Sequence, residues 1–478
     1  TRAGVTGEAP SDVLWHYNLS ARHLDKLCER VDTFSVSGDG ERLVVRHRDD
    51  TIVVPSSHKV DDDDPAYIRV DLTRLRRTVN PRAEWRQMFD ENGRLMASHY
   101  WREDMNGVDW DSVLNRYRPL VDLCHVVDDL HDILWETVAE LNTSHSYVSA
   151  SGAAGDSDMR AGLLGADVSS GNDGAKVVRV IPGESSDPRA WSPLRAAGVA
   201  VTEGDVIVAV DGRKVGADGN LGELLEGSAG RVVELTVRRG ENERQVAVVP
   251  MADEAPLRYH DWVASRRRYV EEHSGGRLGY LHVPDMVSDG WAELHRQIGE
   301  ATRHEGVIAD VRFNHGGHTS QLVVERLARR VVGWDYSRWY ATADTYPQNA
   351  VRGPIVMVTN QWAGSDGDIV AAATQAMGYA KVIGERSWGG VVGIDGRFDL
   401  VDGTSVTQPR YAGWYGSYGW GVENHGVDPD IVVTVSPEDW EADCDVQLDA
   451  AIAECLRQLD DKPAATAPEL PGPAFDRC

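Results

Sequence analysis

Cysteine is scarce. The 478 residues hold five, Cys28, Cys124, Cys444, Cys455 and Cys478, far apart and with no C-x-x-C pair. That excludes a disulfide framework and a paired-thiol metal or redox motif, and it favours a reducing, cytoplasmic compartment. Long apolar runs are also missing. None approaches the roughly 18 residues that a bilayer-crossing helix needs, and no basic-then-apolar leader is present. Positive charge is in short supply: 49 Lys and Arg against 76 Asp and Glu leave a net charge of −27. Such a chain repels phosphate, which argues against nucleic-acid and anionic-membrane partners. There is no P-loop lysine and hence no sign of ATP use; H-E-x-x-H is absent, and the H-x-x-H of His315 and His318 is a weak zinc signal. No cofactor or metal is expected. Residue 1 is threonine, so further sequence is expected upstream.

What is present divides into several parts. At about 150 residues per domain the length allows roughly three. Residues 33–54 alternate apolar and polar positions between turns at Gly38-Asp39-Gly40 and Asp49-Asp50, which reads as two or three strands at the end of a larger β unit. The acidic run Asp61–Asp64 before Pro65 reads as a solvated connector. From Val70 to about Leu141 the apolar spacing is three and four, the mark of amphipathic helices, with Asn80-Pro81 as a helix start. A Gly/Ala/Ser/Asp stretch at 149–158 has linker composition. Strand-rich sequence follows to about Met251. Residues 258–272 suggest a connecting helix. Apolar strands at 278–283, 306–313 and 354–360 then alternate with helices near 288–303, 319–332 and 366–378, the pattern of an α/β layered domain. One amphipathic helix, 437–459, and a Pro/Ala-rich tail expected to be disordered complete the chain.

Two loops carry the chemistry. The strand PIVMVTN runs through Ala363-Gly364-Ser365-Asp366 into a helix. A small-residue turn there exposes Ser365 as a nucleophile and leaves the following N–H for an oxyanion, although a serine in that place also serves as a plain helix cap. The second loop is Asn314-His315-Gly316-Gly317, whose glycines let backbone approach a ligand; it is equally compatible with an ordinary turn. No lysine stands near either. Histidine has the right unperturbed pKa for a base, and among 16 histidines His145 ends the helical region in Thr143-Ser144-His145-Ser146-Tyr147.

The segment SPLRAAGV through EGDVIVAVDGRKV resembles the PDZ family, in which Gly162-Leu163-Leu164-Gly165 would be the loop receiving a peptide carboxylate. That module, the D-V-R-x-N-x-G-G strand end, the Ala-Gly-Ser turn, Gly384-Glu385-Arg386-Ser387-Trp388-Gly389-Gly390 and Glu423-Asn424-His425-Gly426-Val427-Asp428-Pro429-Asp430 together resemble the tricorn and carboxy-terminal processing proteases. The processing branch keeps a lysine where this chain has Gly390, and a glycine accepts no proton. The T-S-H-x-Y segment is similar to that of the tricorn core protease family. That resemblance implies a multidomain α+β chain: a β-propeller blade remnant (1–60), a helical domain (61–155), a PDZ-like β-rich module (156–253), an α/β sandwich catalytic domain (254–460) and a disordered tail (461–478). It implies a serine peptidase in which Ser365 attacks, His145 is the base, Ser144 orients it and Glu423 holds Ser144. Oxyanion donors would be the N–H groups of Gly317 (or Gly316) and Asp366, and Asp335 would receive a basic P1 side chain. Peptide substrates and homo-oligomeric assembly belong to the same implication. Two alternatives stay open: a Ser–Lys processing protease, with Lys381 as a remote substitute base, and a peptide-binding scaffold without catalysis.

Overall fold

The computed structural model describes residues 12–47, 50–150, 159–216 and 220–470. Most of the linker, 151–158, turn residue Asp49, and the end of the tail with Cys478 lie outside them. Chain contacts separate residues 2–80 from 81–478.

The first unit is all β. Strands β1 (Val13–Asn18) and β2 (His23–Glu29) pair as a hairpin. Strands β3 (Thr33–Val36), β4 (Arg42–His47), β5 (Asp50–Pro55) and β6 (Ile68–Val70) form an antiparallel meander. The alternation read in 33–54 thus becomes three strands, but a fourth follows the acidic run. Asp61–Asp64 is a loop inside this sheet rather than a connector to helices, because Ile68–Val70 pairs back onto Thr51–Val53. Among the described residues the sheet is open, and nothing closes it into a propeller.

In the second unit α1 (Pro81–His99), α2 (Trp110–Val121) and α3 (Val127–Ala139) pack around Met88, Phe89, Met96, Leu130 and Leu134. Apolar spacing runs across the α2–α3 break without showing it. The Asp129 carboxylate makes the break, accepting the N–H groups of His125 (2.7 Å) and Val126 (3.2 Å) as a cap. Strand β7 (Val148–Ser149) leaves this bundle.

The next module holds β8 (Ala166–Gly171), β9 (Gly174–Val180), β10 (Val206–Val210), β11 (Arg213–Lys214), the short α4 (Leu221–Leu224), β12 (Val233–Arg239) and β13 (Asn242–Val248). The sheet order is β13-β12-β10-β9-β8 with β11 beside β10. The expected carboxylate loop is partly spoken for: Gly162 N–H donates to Leu225 C=O and Leu163 N–H to Met251 C=O.

Helix α5 (Ala255–His273) leads to a five-stranded parallel sheet. Its strands are β14 (Leu278–His282), β15 (Gly306–Asp310), β18 (Ile355–Thr359), β19 (Ala380–Gly384) and β23 (Ile431–Val432), adjacent in that order. Every residue of β14, β15 and β18 is buried, because helices cover both faces. The helices are α6 (Ser288–Ala301), α7 (Ser320–Leu327) and α8 (Asp366–Met377). Excursions from the sheet form the hairpin β16 (Gly333–Asp335) with β17 (Asp344–Tyr346), and the ribbons β20 (Gly393–Asp395) with β22 (Gln408–Tyr411) and β21 (Ser405–Val406) with β7.

The expected helix 437–459 is two, α9 (Pro437–Glu441) and α10 (Val446–Asp461). Asp443 at φ +52° ends the first, and Asp445 caps the second while holding the buried Arg312 guanidinium at 2.8 Å. That pair, with Asp310 at 2.7 Å on its other side, fastens α10 beneath the Asn314–Gly317 loop. The tail does not leave the fold at Asp461. Ala465 N–H donates to Arg352 C=O at 2.8 Å, and Ala464 packs on the sheet core.

Candidate active site

The nucleophile turn follows from the sheet. Strand β18 delivers Asn360–Gly364 to its carboxyl end and α8 begins at once. Ser365 sits at φ 57°, ψ −121°, and its hydroxyl makes no capping bond. The plain helix-cap reading therefore fails. A half-buried residue in this sparsely populated conformation is held there by its surroundings. A Cβ on Gly316 would lie 2.5 Å from Ser365 Cβ, so only glycine lets the two loops meet. Asn314 fixes the facing loop: its amide donates to Val283 C=O (2.8 Å), and its Oδ1 accepts from Gly316 N–H (2.9 Å). Gly316 N–H is thereby occupied. The N–H groups of Gly317 and Asp366 have no acceptor among the described residues.

The histidine segment is built by the helical bundle but held by the far end of the chain. Asn142 and His145 both have positive φ, 45° and 61°. Asn424 donates to Asn142 C=O at 2.8 Å, and Thr407 Oγ1 donates to His145 C=O. Ser144 Oγ stands 3.0 Å from His145 Nδ1 and 3.0 Å from Glu423 Oε2. Glu423 Oε1 accepts Ser144 N–H at 2.7 Å, and Oε2 also accepts Val391 and Val392 N–H at 2.8 and 3.0 Å. Proton counting fixes the tautomer. The single Ser144 hydroxyl proton goes to the carboxylate, so Nδ1 must carry the proton it shares with Ser144 Oγ, and Nε2 is left bare. Burial pushes the His145 imidazole below its ordinary 6.5, while the Glu423 charge opposes that shift. His425 is not Glu423's partner, as it pairs with Asp428 at 2.9 Å.

Among the described residues no hydrogen bond joins Ser365 to His145. One indole, that of Trp388, borders both the His145 imidazole and Gly364, the residue before Ser365. The Trp388 ring stands edge-on to His145 with centroids 5.3 Å apart, and its Cε3 is where a Cβ on Gly364 would press, at 2.7 Å. A Cβ on Gly390 would enter the same ring. The position that carries lysine in the processing branch is thus taken up by Trp388. Lys381 is 3.4 Å from Asp430 at the start of β19, the end of the sheet opposite Ser365.

Asp368, which the sequence reading passed over, ties the Ser365 turn to the loop that carries Trp388. Its buried carboxylate accepts Gly389 N–H (2.8 Å), Gly390 N–H (3.2 Å), the Ser387 hydroxyl and the Ser365 N–H. Burial raises its pKa despite these donors. The signal was an acid in the first turn of a helix that starts at a serine. Asp366, its carboxyl also raised by burial, accepts Ser320 N–H at 3.0 Å and ties α8 to α7. Asp335 is exposed on the β16–β17 hairpin, and no described contact ties it to Ser365. Among the described residues no cluster of three or more His, Cys, Asp or Glu could hold a metal ion, and no helix is long and apolar enough to cross a membrane.

Comparison with known proteins meets this geometry. Residues 277–433 match peptidase family S41, residues 162–253 the tricorn protease PDZ domain, and residues 81–139 the tricorn protease C1 domain. The chain belongs to the tricorn protease family. Tricorn protease homolog 1 of Streptomyces coelicolor is 55% identical over 476 residues, 98% of this chain and 44% of that protein. The tricorn protease of Thermoplasma acidophilum is 35% identical over 95% of this chain and 42% of its own length. A crystal structure of the tricorn protease superposes with a TM-score of 0.84 at 33% identity, over 94% of this chain and 43% of that one. This tricorn-type chain therefore spans less than half the length of these relatives. The carboxy-terminal processing protease CtpB of Bacillus subtilis is more distant, 24% identical over 56% of this chain and 55% of its own.

Proposed function

We propose that this chain is a tricorn-type serine peptidase that cleaves peptides through an acyl-enzyme. One observation carries the reading: Ser144 bridges His145 Nδ1 and Glu423 at 3.0 Å each, which leaves Nε2 free to accept a proton. Ser365 Oγ attacks the scissile carbonyl carbon while its proton passes to His145 Nε2. The C=O π electrons move to oxygen, which takes hydrogen bonds from the N–H groups of Gly317 and Asp366. Collapse of the tetrahedral intermediate breaks the C–N bond, and the leaving amine takes the proton from Nε2. Water then repeats the sequence on the ester. Ser144 and Glu423 keep the imidazole in the base-competent tautomer and stabilise the imidazolium formed in each step, the Ser-His-acid arrangement with one hydroxyl inserted. A Ser–Lys mechanism lacks its base, since Gly390 stands against the Trp388 ring.

Finer parts of the reading follow the family. The substrates are oligopeptides such as larger proteases release, and Asp335 receives a basic P1 side chain by charge pairing. The chain assembles with copies of itself in the cytoplasm, and the Thr33–Val70 meander is one blade of a propeller. Labelling the full chain with a fluorophosphonate tests the core claim. The expected result is an adduct on Ser365, located by peptide mass spectrometry, that His145→Ala slows by orders of magnitude. An intact chain that takes no label has no activated serine, and the scaffold reading then replaces this one.

A further inference from the structure

The amino end of the parallel sheet, remote from Ser365, carries a cavity of about 610 Å³. In a chain of net charge −27 its lining runs against the trend. Arg329, Arg330, Arg352 and Lys462 border it with the ring of Tyr379, and no carboxylate does. The nearest acids on α10 are engaged elsewhere: Glu454 and Asp461 bind Arg457 at 2.8 and 2.7 Å, and Asp460 lies 3.7 Å from Arg277.

Basic side chains beyond helix ends ordinarily offset the negative end of the dipole by donating to the last carbonyls. Arg352 behaves in that way toward neighbouring backbone, donating to Arg303 C=O at 2.8 Å and Ala465 C=O at 3.3 Å. Arg329, Arg330 and Lys462 do not. Among the described residues their side chains have no hydrogen-bond acceptor and no ion-pair partner. Three unneutralised cations beside a concave surface repel one another; the pKa of neighbouring Arg326 is lowered first by burial, and the Arg329 charge adds to that shift. An anion with several charges relieves that repulsion, whereas a single carboxylate would neutralise only one of the three. The planar guanidinium fork matches phosphate oxygens two at a time. The cavity volume falls within the range of about 300–1,000 Å³ usual for small-molecule sites.

We infer that this cavity binds a small, multiply charged phosphate compound. The site is separate from the peptidase centre: five residues of β18 lie between its rim at Pro354 and the loop after Thr359, about 15 Å at the ordinary strand rise. Occupancy therefore shows in binding and thermal stability rather than in the chemistry of Ser365.

The test is calorimetric titration of the full chain with sodium tripolyphosphate at low ionic strength, with citrate as the carboxylate arm. The wild-type chain is expected to bind tripolyphosphate at least tenfold more tightly than citrate. Arg329→Gln with Arg330→Gln should weaken tripolyphosphate binding at least tenfold, and Lys214→Gln, which removes one exposed charge from the PDZ-like module, should leave it unchanged. Should the double variant melt early, Lys462→Gln alone is read instead, with at least a threefold loss expected. No binding at millimolar tripolyphosphate, equal binding of citrate, or an equal loss in Lys214→Gln would each overturn the assignment.

Discussion

The loop that presents Ser365 and the segment that presents His145 are assembled in opposite ways. Ser365 stands where a buried strand becomes a helix. Its supports are a facing glycine loop one strand away and a carboxylate three residues on, Asp368. The turn is made wherever the parallel sheet is made. His145 has no such local cause. Its bundle ends at Leu141, and what fixes the imidazole comes from Thr407, Glu423 and Asn424, with Ser144 and Glu423 279 residues apart in sequence. The difference separates two requirements. The nucleophile needs the sheet, while the base needs the bundle and the 404–425 excursion docked together. Variants can therefore break one half and spare the other.

The largest effect is expected from Ser365→Ala. It removes the attacking oxygen, so turnover should fall by about 10⁶-fold, as when a nucleophile is deleted from a comparable triad. Because the hydroxyl caps nothing, the melting temperature should stay within about a degree or two. Peptide hydrolysis and thermal melting on the same preparation check both points, and residual turnover near wild type would remove Ser365 from its role.

Glu423→Gln attacks the other half. Replacing the orienting acid by its amide costs on the order of 10⁴-fold when the tautomer is lost. The pH profile adds a sign. Burial holds His145 below 6.5 and the Glu423 charge opposes it, so removing that charge lets the imidazole pKa fall further. The base then stays neutral to lower pH, and the acid limb of kcat/KM should move down. A limb that stays in place or moves up would show that no charge coupling crosses Ser144.

A smaller loss tests the tie between the Ser365 turn and the Trp388 loop. Asp368→Asn keeps the shape but turns an NH₂ group toward the donors of one carboxylate oxygen. The Gly389-Gly390 loop, the Trp388 ring and the Ser365 N–H should shift together. A displacement of about 1 Å costs on the order of 100-fold in rate, expected in kcat with KM little changed. A change confined to KM would make Asp368 a binding rather than a positioning group. Pairing Gly390→Lys with His145→Ala should restore nothing, because a side chain at 390 collides with Trp388.

The same asymmetry decided what the sequence could show. The α/β alternation, the Ser365 turn and the Gly316-Gly317 loop were legible because each is a local pattern of apolar runs and small residues. The pairing of Ser144, His145 and Glu423 was not, since no periodicity reports a contact across 279 residues; it came only from family resemblance. Trp388 and Asp368 were missed for a related reason. Gly390 was noticed as the absence of a lysine, but nothing local says that an indole fills the space. The break between α9 and α10 was hidden because Asp445 serves a buried arginine from another part of the chain.

The smallest effect should come from Thr407→Val, which probes the docking without touching charge or reacting atoms. Thr407 Oγ1 donates to His145 C=O and accepts Tyr147 N–H at 2.7 Å, and Thr407 N–H donates to Tyr147 C=O at 3.0 Å. Valine keeps the shape and the backbone bond but removes both hydroxyl bonds, leaving the His145 C=O and the Tyr147 N–H only their mutual bond at 3.1 Å. Each neutral bond is worth about 0.5–1.5 kcal/mol, enough for a fall in kcat/KM of roughly two- to tenfold for each bond that mattered to the imidazole. If His145 depends on long-range docking, that fall should be seen with fluorophosphonate labelling of Ser365 slowed in proportion, because both reactions need the same base. If labelling and hydrolysis are unchanged, the bundle alone holds His145, and the two halves of the site are less different than their contacts make them.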